Sequence, residues 1–284
     1  MRFSQKMGLT PVTKMVQDQS IDDDLKNNLW NAVDIFVLFV IEDRSVPVEN
    51  NEFYIHLWVN FFKKPIDTIP SSYYQAKTTL KSIFYEFPWY MVYDFIEFIA
   101  SIEDSIADID QDEFKFFCND LFIRENSAYR FIDFKIAPIT NSSEISEIEE
   151  VIYQSSQFTA LRGANIHLQT ALEKLSDKKA PDYRNSIKES ISAVESVAKK
   201  ISGKDKDSLG AALQKIKGKI KMHQALERGF LQIYGYASDG DGIRHGLMDE
   251  SNCDFEDAKF MLVSCSAFIN YLIVKAQKAG ITFS

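Results

Sequence analysis

The stretch 183-YRNSIKESISAVESVAKKIS-202 decides the fold class. Ile187, Ile191, Val194, Ala198 and Ile201 recur at helical spacing and make one apolar face on a polar helix. Such a stripe must be buried, so it calls for helical partners on either side in sequence. Downstream, Leu209, Leu213 and Ile216 repeat the pattern ahead of the Lys-rich 215-KIKGKIK-221. The last segment, 254-DFEDAKFMLVSCSAFINYLIVKAQKAG-280, is apolar almost all round, which suits the centre of a bundle, and Gly280 is placed to stop it. Upstream, Ser143 and Glu147 bracket the start of a helix over 144–155. Gly163 suggests a break, and His167, Leu168, Ala171, Leu172 and Leu175 continue a helical stripe.

The first half of the chain is also helical. Over 20–42, Ser20 is placed as N-cap with Asp22, Asp23 and Asp24 in the first turn. Leu25, Leu29, Val33, Phe36 and Phe39/Val40 follow at helical spacing. Further helices are expected over 51–63, 71–86 and 89–104, with a short acidic one near 110–120, punctuated by prolines at 65, 70 and 88. The many aromatics here suit either a base-stacking platform or a core, and helical spacing within an acidic unit favours the core. At 128-AYRFIDFKIAPIT-140 the pattern changes to two short extended runs around Asp133, a small hairpin closed by Pro138.

Charge divides the chain. The net charge is −9 over 284 residues, with about −13 in residues 1–150 and about +4 in 151–284, so only the later part suits an anionic partner. Cys118, Cys253 and Cys265 are an odd, scattered set, as expected of free thiols in a reducing compartment. The start, MRFSQKMGLTP, lacks a signal-peptide apolar region, and 35-IFVLFVI-41 is far short of the roughly 20 residues needed to cross a bilayer. A cytoplasmic protein with no membrane partner is expected.

The chemistry is expected in 238-SDGDGIRHG-246. As a calcium loop it fails in the middle, where Ile243 replaces an oxygen ligand and Arg244 the turn glycine. The 202-SGKDKDS-208 stretch lacks the earlier glycine of a Walker loop, and no G-x-S-x-G elbow is present. His56, His167, His223 and His245 are too scattered for zinc, so neither a metal nor another cofactor is expected. A histidine beside an arginine suits RNA cleavage, with one moving protons and the other stabilising phosphorane charge. Arg244 and His245 equally suit capping of the next helix, paired with Asp239 or Asp241, and spacing alone leaves both readings open.

A family resemblance adds to this. The order 184-RNSIKESISAVESVAKKI-201, a Leu-rich helix, 232-QIYGYASDGDGIRHGLMDE-250 and 256-EDAKFMLVSCSAFINYLI-273 resembles the C-terminal HEPN domain of abortive-infection proteins. The segment 128–152 is similar to the connector before such domains, and 3-FSQKMGLTPV-12 with 25-LKNNLWNAV-33 resembles an AbiJ-type N-terminal domain. The resemblance implies a mainly α protein: an N-terminal helical domain over 1–127, a hairpin and linker helix over 128–160, and a HEPN-like bundle over 161–284. It also implies a homodimer that sets two R-x(4–6)-H motifs across a shared cleft and cleaves RNA without a metal. His245 and Asp239 match the motif, whereas Ser238 stands at its arginine position, with Arg244 the substitute guanidinium at the far end of the loop. The implied catalytic set is His245, Arg244 and Asp239, with Ser238, Arg184 and Glu195 on the substrate side. Glu195 also suits a plain salt bridge to Arg184 or Arg244.

Overall fold

The computed structural model describes residues 3, 7, 14–42, 46–103, 105–177, 180–239 and 253–283, with the side chains of 237–239 left out. The described residues are mainly helical, with one two-stranded antiparallel hairpin. They form two compact units, Met1–Pro138 and Ile139–Ser284.

In the first unit, helix α1 comprises Asp23–Val33, a π-helical stretch Asp34–Leu38, and Phe39–Ile41. Its N-cap is Asp22, not Ser20: the Asp22 carboxylate accepts from Leu25 N at 2.8 Å, while Gln17 Oε1 accepts from Asp22 N at 2.6 Å. The π turn also corrects the expected stripe. Phe39 N donates to Asp34 O, five residues back, so an extra residue enters the turn. Val37, Leu38 and Ile41 therefore point inward, Phe36 packs on Phe117, and Phe39 is 80% exposed.

Helix α2 joins Glu52–His56 to a second π stretch, Leu57–Phe62, and ends at Lys63 in left-handed conformation. Helices α3 (Tyr73–Glu86), α4 (Trp89–Ala100) and α5 (Gln111–Arg124) follow, the last longer than the sequence suggests. Strands β1 (Arg130–Ile132) and β2 (Lys135–Ala137) pair with Phe131 opposite Ile136. Asn119 of α5 holds β1 like a neighbouring strand, accepting from Phe131 N at 2.8 Å and donating to Phe131 O at 3.2 Å. The aromatics are core, as expected: Trp30, Phe53, Tyr54, Trp58, Phe84, Tyr93, Phe95, Phe114 and Phe122 are all buried in one cluster.

The second unit contains α6 (Ser142–Ser156), α7 (Arg162–Ser176), α8 (Tyr183–Ser202), α9 (Leu209–Lys217), α10 (Gln224–Asp239) and α11 (Phe255–Lys278). Helix α8 packs against α7, α9, α10 and α11, and α11 also packs on α6. The cap of α6 is Asn141, which accepts from Ser143 N and Glu144 N, while Glu147 instead accepts from Asn270 of α11. Gly163 is no break. It lies in the first turn of α7, where a Cβ would stand 3.2 Å from Ser196 Oγ of α8, so it permits close helix contact. Gly280, at φ 77°, does end α11: Ile281 N reaches Ala276 O and Gly280 N reaches Gln277 O, a Schellman motif. Among the described residues α11 is the one helix long and apolar enough to cross a membrane, and 56% of that stretch is buried within the protein.

Two predictions follow from the first unit. Lys14 Nζ meets Asp22, Asp24 and the buried Glu125 at 2.8, 2.7 and 2.5 Å. Burial opposes the ammonium, but hydrogen bonds to the three carboxylates outweigh it and hold Lys14 above the usual lysine range. Lys14→Ala leaves the buried Glu125 carboxylate with Arg124 Nε at 3.1 Å but without its shortest ion pair; after allowance for solvent exposure, urea unfolding should show a loss of about 1 kcal/mol. Burial also keeps the Tyr54 and Tyr93 hydroxyls and the Cys118 thiol protonated beyond their ordinary ranges. Folded values above unfolded ones stabilise the native state fully below the unfolded values and less as pH rises past them. The urea midpoint should therefore fall from about pH 9–10 upward; a midpoint that stays level through that range contradicts this account.

Candidate functional site

The expected site centres on the connection between α10 and α11. Arg244 and His245 lie outside the described residues. Ser238 and Asp239 form the last turn of α10 by their backbones. What the structure describes is the framework from which that connection leaves and to which it returns.

Each end of the framework has a local cause. Helix α11 starts at Phe255 because Asp254 and Asp257 form a capping box. The Asp254 carboxylate accepts from Asp257 N at 2.9 Å, and the Asp257 carboxylate accepts from Asp254 N at 3.3 Å. Helix α8 starts at Tyr183 because Asp182 accepts from Asn185 N and Nδ2 at 3.1 and 2.7 Å. Burial would raise the Asp182 carboxyl, but the Asn185 hydrogen bonds and nearby Lys174 outweigh it and hold it below the usual range. Helix α10 is anchored by Phe230, which lies flat on Phe268 of α11 with centroids 3.6 Å apart, and by buried Glu227, paired with Lys217 of α9 at 3.3 Å.

Three helix ends meet here. The Tyr183 ring stands edge-on to Phe255 at 6.2 Å, and its hydroxyl is pushed up by burial and by Glu256 and Asp254. Tyr236, near the end of α10, is pushed up by burial and by Asp257, Cys253 and Asp254. The N-termini of α8 and α11 and the C-terminus of α10 thus share one end of the bundle. Arg184, half-buried in the first turn of α8, sits at that end beside Tyr183. Glu195 is eleven residues further along α8, about 16 Å by helical rise, and pairs with Lys199 at 2.8 Å.

The other candidate groups are dispersed. His167 of α7 pairs with Glu189 of α8 at 2.6 Å, while His56 in the first unit meets Asn60 and stacks on Phe98. Cys118 and Cys265 are buried, and burial pushes both thiols up. Among the described residues one group of carboxylates, Asp22, Asp24 and Glu125, has metal-ligand spacing, and its centre is taken by the Lys14 ammonium. Sequence reasoning missed Tyr183 and Tyr236. The available signal was the D-x-x-D of Asp254 and Asp257 before an apolar run, which marks where the connection must end.

A mainly helical unit closed by a small hairpin gives the class, and comparison gives the family. Residues 1–154, more than half of the chain, match AbiJ N-terminal domain 4. The chain belongs to that family, which places it among proteins related to abortive infection. No curated protein and no solved structure matches it.

The shared end of the bundle predicts an electrostatic coupling. Asp257→Asn removes a negative neighbour and should lower the Tyr236 pKa, read from ring-labelled tyrosine NMR across alkaline pH. An unchanged titration would show that the two groups are not coupled.

Proposed function

We propose that this is a cytoplasmic, antiviral protein of the abortive-infection type whose second unit is a HEPN-like endoribonuclease acting as a homodimer. The observation that carries the reading is the meeting of α8, α10 and α11 at the connection that bears Arg244 and His245. It is supported by membership of the AbiJ N-terminal domain 4 family.

On this reading the ribose 2′-hydroxyl attacks the adjacent phosphate, so the nucleophile is internal to the RNA. His245 takes the hydroxyl proton or supplies one to the departing 5′-oxygen. Arg244 stabilises charge on the phosphorane, and Asp239 orients one of the two. Ser238, Arg184 and Glu195 lie on the substrate side, and the first unit senses a trigger, restrains the site or recruits a partner. A second reading, a non-catalytic module that binds RNA, a nucleotide or a protein, is favoured by Ser238 at the position where the motif carries arginine.

The full chain incubated with labelled RNA in EDTA should yield cyclic-phosphate and 5′-hydroxyl ends. His245→Ala should slow this at least about 100-fold while the protein remains folded. Intact RNA with saturable binding would instead establish the second reading.

A further inference from the structure

Positive charge gathers at the C-terminal end of α8. Residues 195–227, which run from the last turns of α8 through α9 to the first turn of α10, hold eight lysines and four carboxylates. The rest of that neutral unit, residues 139–194 and 228–284, holds 11 basic and 15 acidic side chains. Each of the four carboxylates meets one lysine. Glu195 meets Lys199 at 2.8 Å, Asp205 meets Lys200 at 3.4 Å, Asp207 meets Lys215 at 2.6 Å, and Glu227 meets Lys217 at 3.3 Å. Lys204, Lys206, Lys219 and Lys221 are therefore charge in excess of what the segment itself neutralises, and all four are exposed.

The fold holds these four lysines together. Gly203, left-handed at φ 73°, ends α8 and leads into the turn that carries Lys204 and Lys206. Lys219 Nζ donates to the last carbonyls of α8, Ile201 O at 3.0 Å and Ser202 O at 2.9 Å, and stands 3.7 Å from the place a Cβ would take on Gly203. The segment 219–221 thus lies against that turn. Ile220 and Met222 are buried, so the exposed Lys219 and Lys221 flank an anchored residue and form one shelf with Lys204 and Lys206.

The chemistry of the shelf favours one kind of partner. A lysine ammonium is a point charge on a flexible stem, so it meets phosphates without demanding a fixed geometry. The apolar side chains Ile201, Leu209, Leu213, Ile216, Ile220 and Met222 are all buried, which leaves the shelf charge to offer and little apolar surface to insert into a lipid layer. A hydrated polyanion suits it better than a membrane does. Lys200 is 17 residues along α8 from Tyr183, about 25 Å by helical rise, a distance that about eight stacked nucleotides of one strand cover.

We propose that this lysine shelf is a docking surface for the phosphate backbone of single-stranded RNA, gripped without sequence preference. That the polymer is RNA rests on the nuclease reading, whereas the surface itself is separate from the residues assigned to cleavage.

The test measures binding of the full chain to a fluorescent 2′-O-methyl oligouridine of 20 nucleotides by anisotropy, across a series of salt concentrations. Such a strand lacks the 2′-hydroxyl nucleophile, so binding is read apart from catalysis. A Kd on the order of 10 μM is expected at physiological salt, with a slope of log affinity against log salt of about −3 for four phosphate contacts. The triple variant Lys204→Ala, Lys206→Ala, Lys221→Ala keeps the Lys219 cap and should fold, as circular dichroism checks. It should bind at least about tenfold more weakly at low salt, with a slope shallower by about 2. A control with the same loss of charge, Lys63→Ala, Lys64→Ala, Lys81→Ala in the first unit, should bind like the unaltered chain. Equal binding by the shelf variant, equal loss in the control, or tighter binding of phosphatidylserine vesicles or polyglutamate than of the oligonucleotide would overturn the proposal. Binding through the shelf with ordinary RNA left intact would sink the nuclease reading and keep this one; cleavage with binding indifferent to the three lysines would do the reverse.

Discussion

Ser186 and Ser190 let α8 be buried on two sides. Ser186 Oγ donates to Ala171 O of α7, and Ser190 Oγ donates to Ser186 O within its own helix, so both hydroxyls are satisfied without water. With small residues there, and Gly163 facing Ser196, α7 can lie close while Ile187, Ile191, Val194 and Ile201 fill the remaining core. Larger residues at these positions would force the neighbours apart and move the helix ends with them. The positions of Tyr183 and Arg184 relative to Phe255 and Tyr236 therefore rest on that packing, and so does the framework of the α10–α11 connection.

The two units solve different electrostatic problems. The first is strongly acidic, and its carboxylates are managed locally: Lys14 gathers three, Lys135 meets Glu97 at 3.2 Å, and Lys77 meets Asp34. The second is neutral overall, with 19 basic and 19 acidic side chains over residues 139–284, and both signs occur at each end of α8, as the pairs Lys174–Asp182 and Lys200–Asp205 show. Asp182, Asp254, Glu256 and Asp257 collect at its N-terminal end, whereas Lys199, Lys200 and Lys219 lie at its other end, where Lys219 Nζ caps the carbonyls of Ile201 and Ser202. On the proposed reading, an anionic polymer reaching the N-terminal end needs compensating cations, and Arg184 of α8 and Arg244 of the connection are the arginines to supply them.

Helix existence was legible because the buried faces repeat at 3.6 residues, and the hairpin was legible because the alternation around Asp133 breaks that period. The errors came from interactions that no local pattern records. Ser20 is an acceptable cap, but Gln17 and Lys14 engage Asp22 and move the start of α1. Phe36 of the expected stripe does pack on Phe114 and Phe117, but one extra residue in the Asp34–Leu38 turn rotates Phe39 and Val40 away from the core. Gly163 looks like a breaker in isolation and is a packing residue in contact with α8. The site was legible only as a location. Tyr236 and Tyr183 lie 53 positions apart and meet only through α11, so no spacing rule could have joined them.

Adjacent residues bear on what Arg244 can do. On a helix, neighbours point about 100° apart, and on a strand they face opposite sides. In a regular helix or strand, consecutive residues therefore address a phosphate from different directions, whereas two residues seven positions apart share a helical face. Ser238 has forgone that arrangement in favour of a hydroxyl, which can hydrogen-bond a phosphate but cannot neutralise it. On the proposed nuclease reading, the guanidinium facing a given His245 must therefore come from elsewhere: Arg244 of a second copy, or Arg184, which α8 holds at the same end of the bundle. The lost charge is worth roughly two to three orders of magnitude in rate if nothing replaces it. On that reading Arg244 supplies the missing charge only from a second copy, whereas Arg184 can supply it from the same chain's α8.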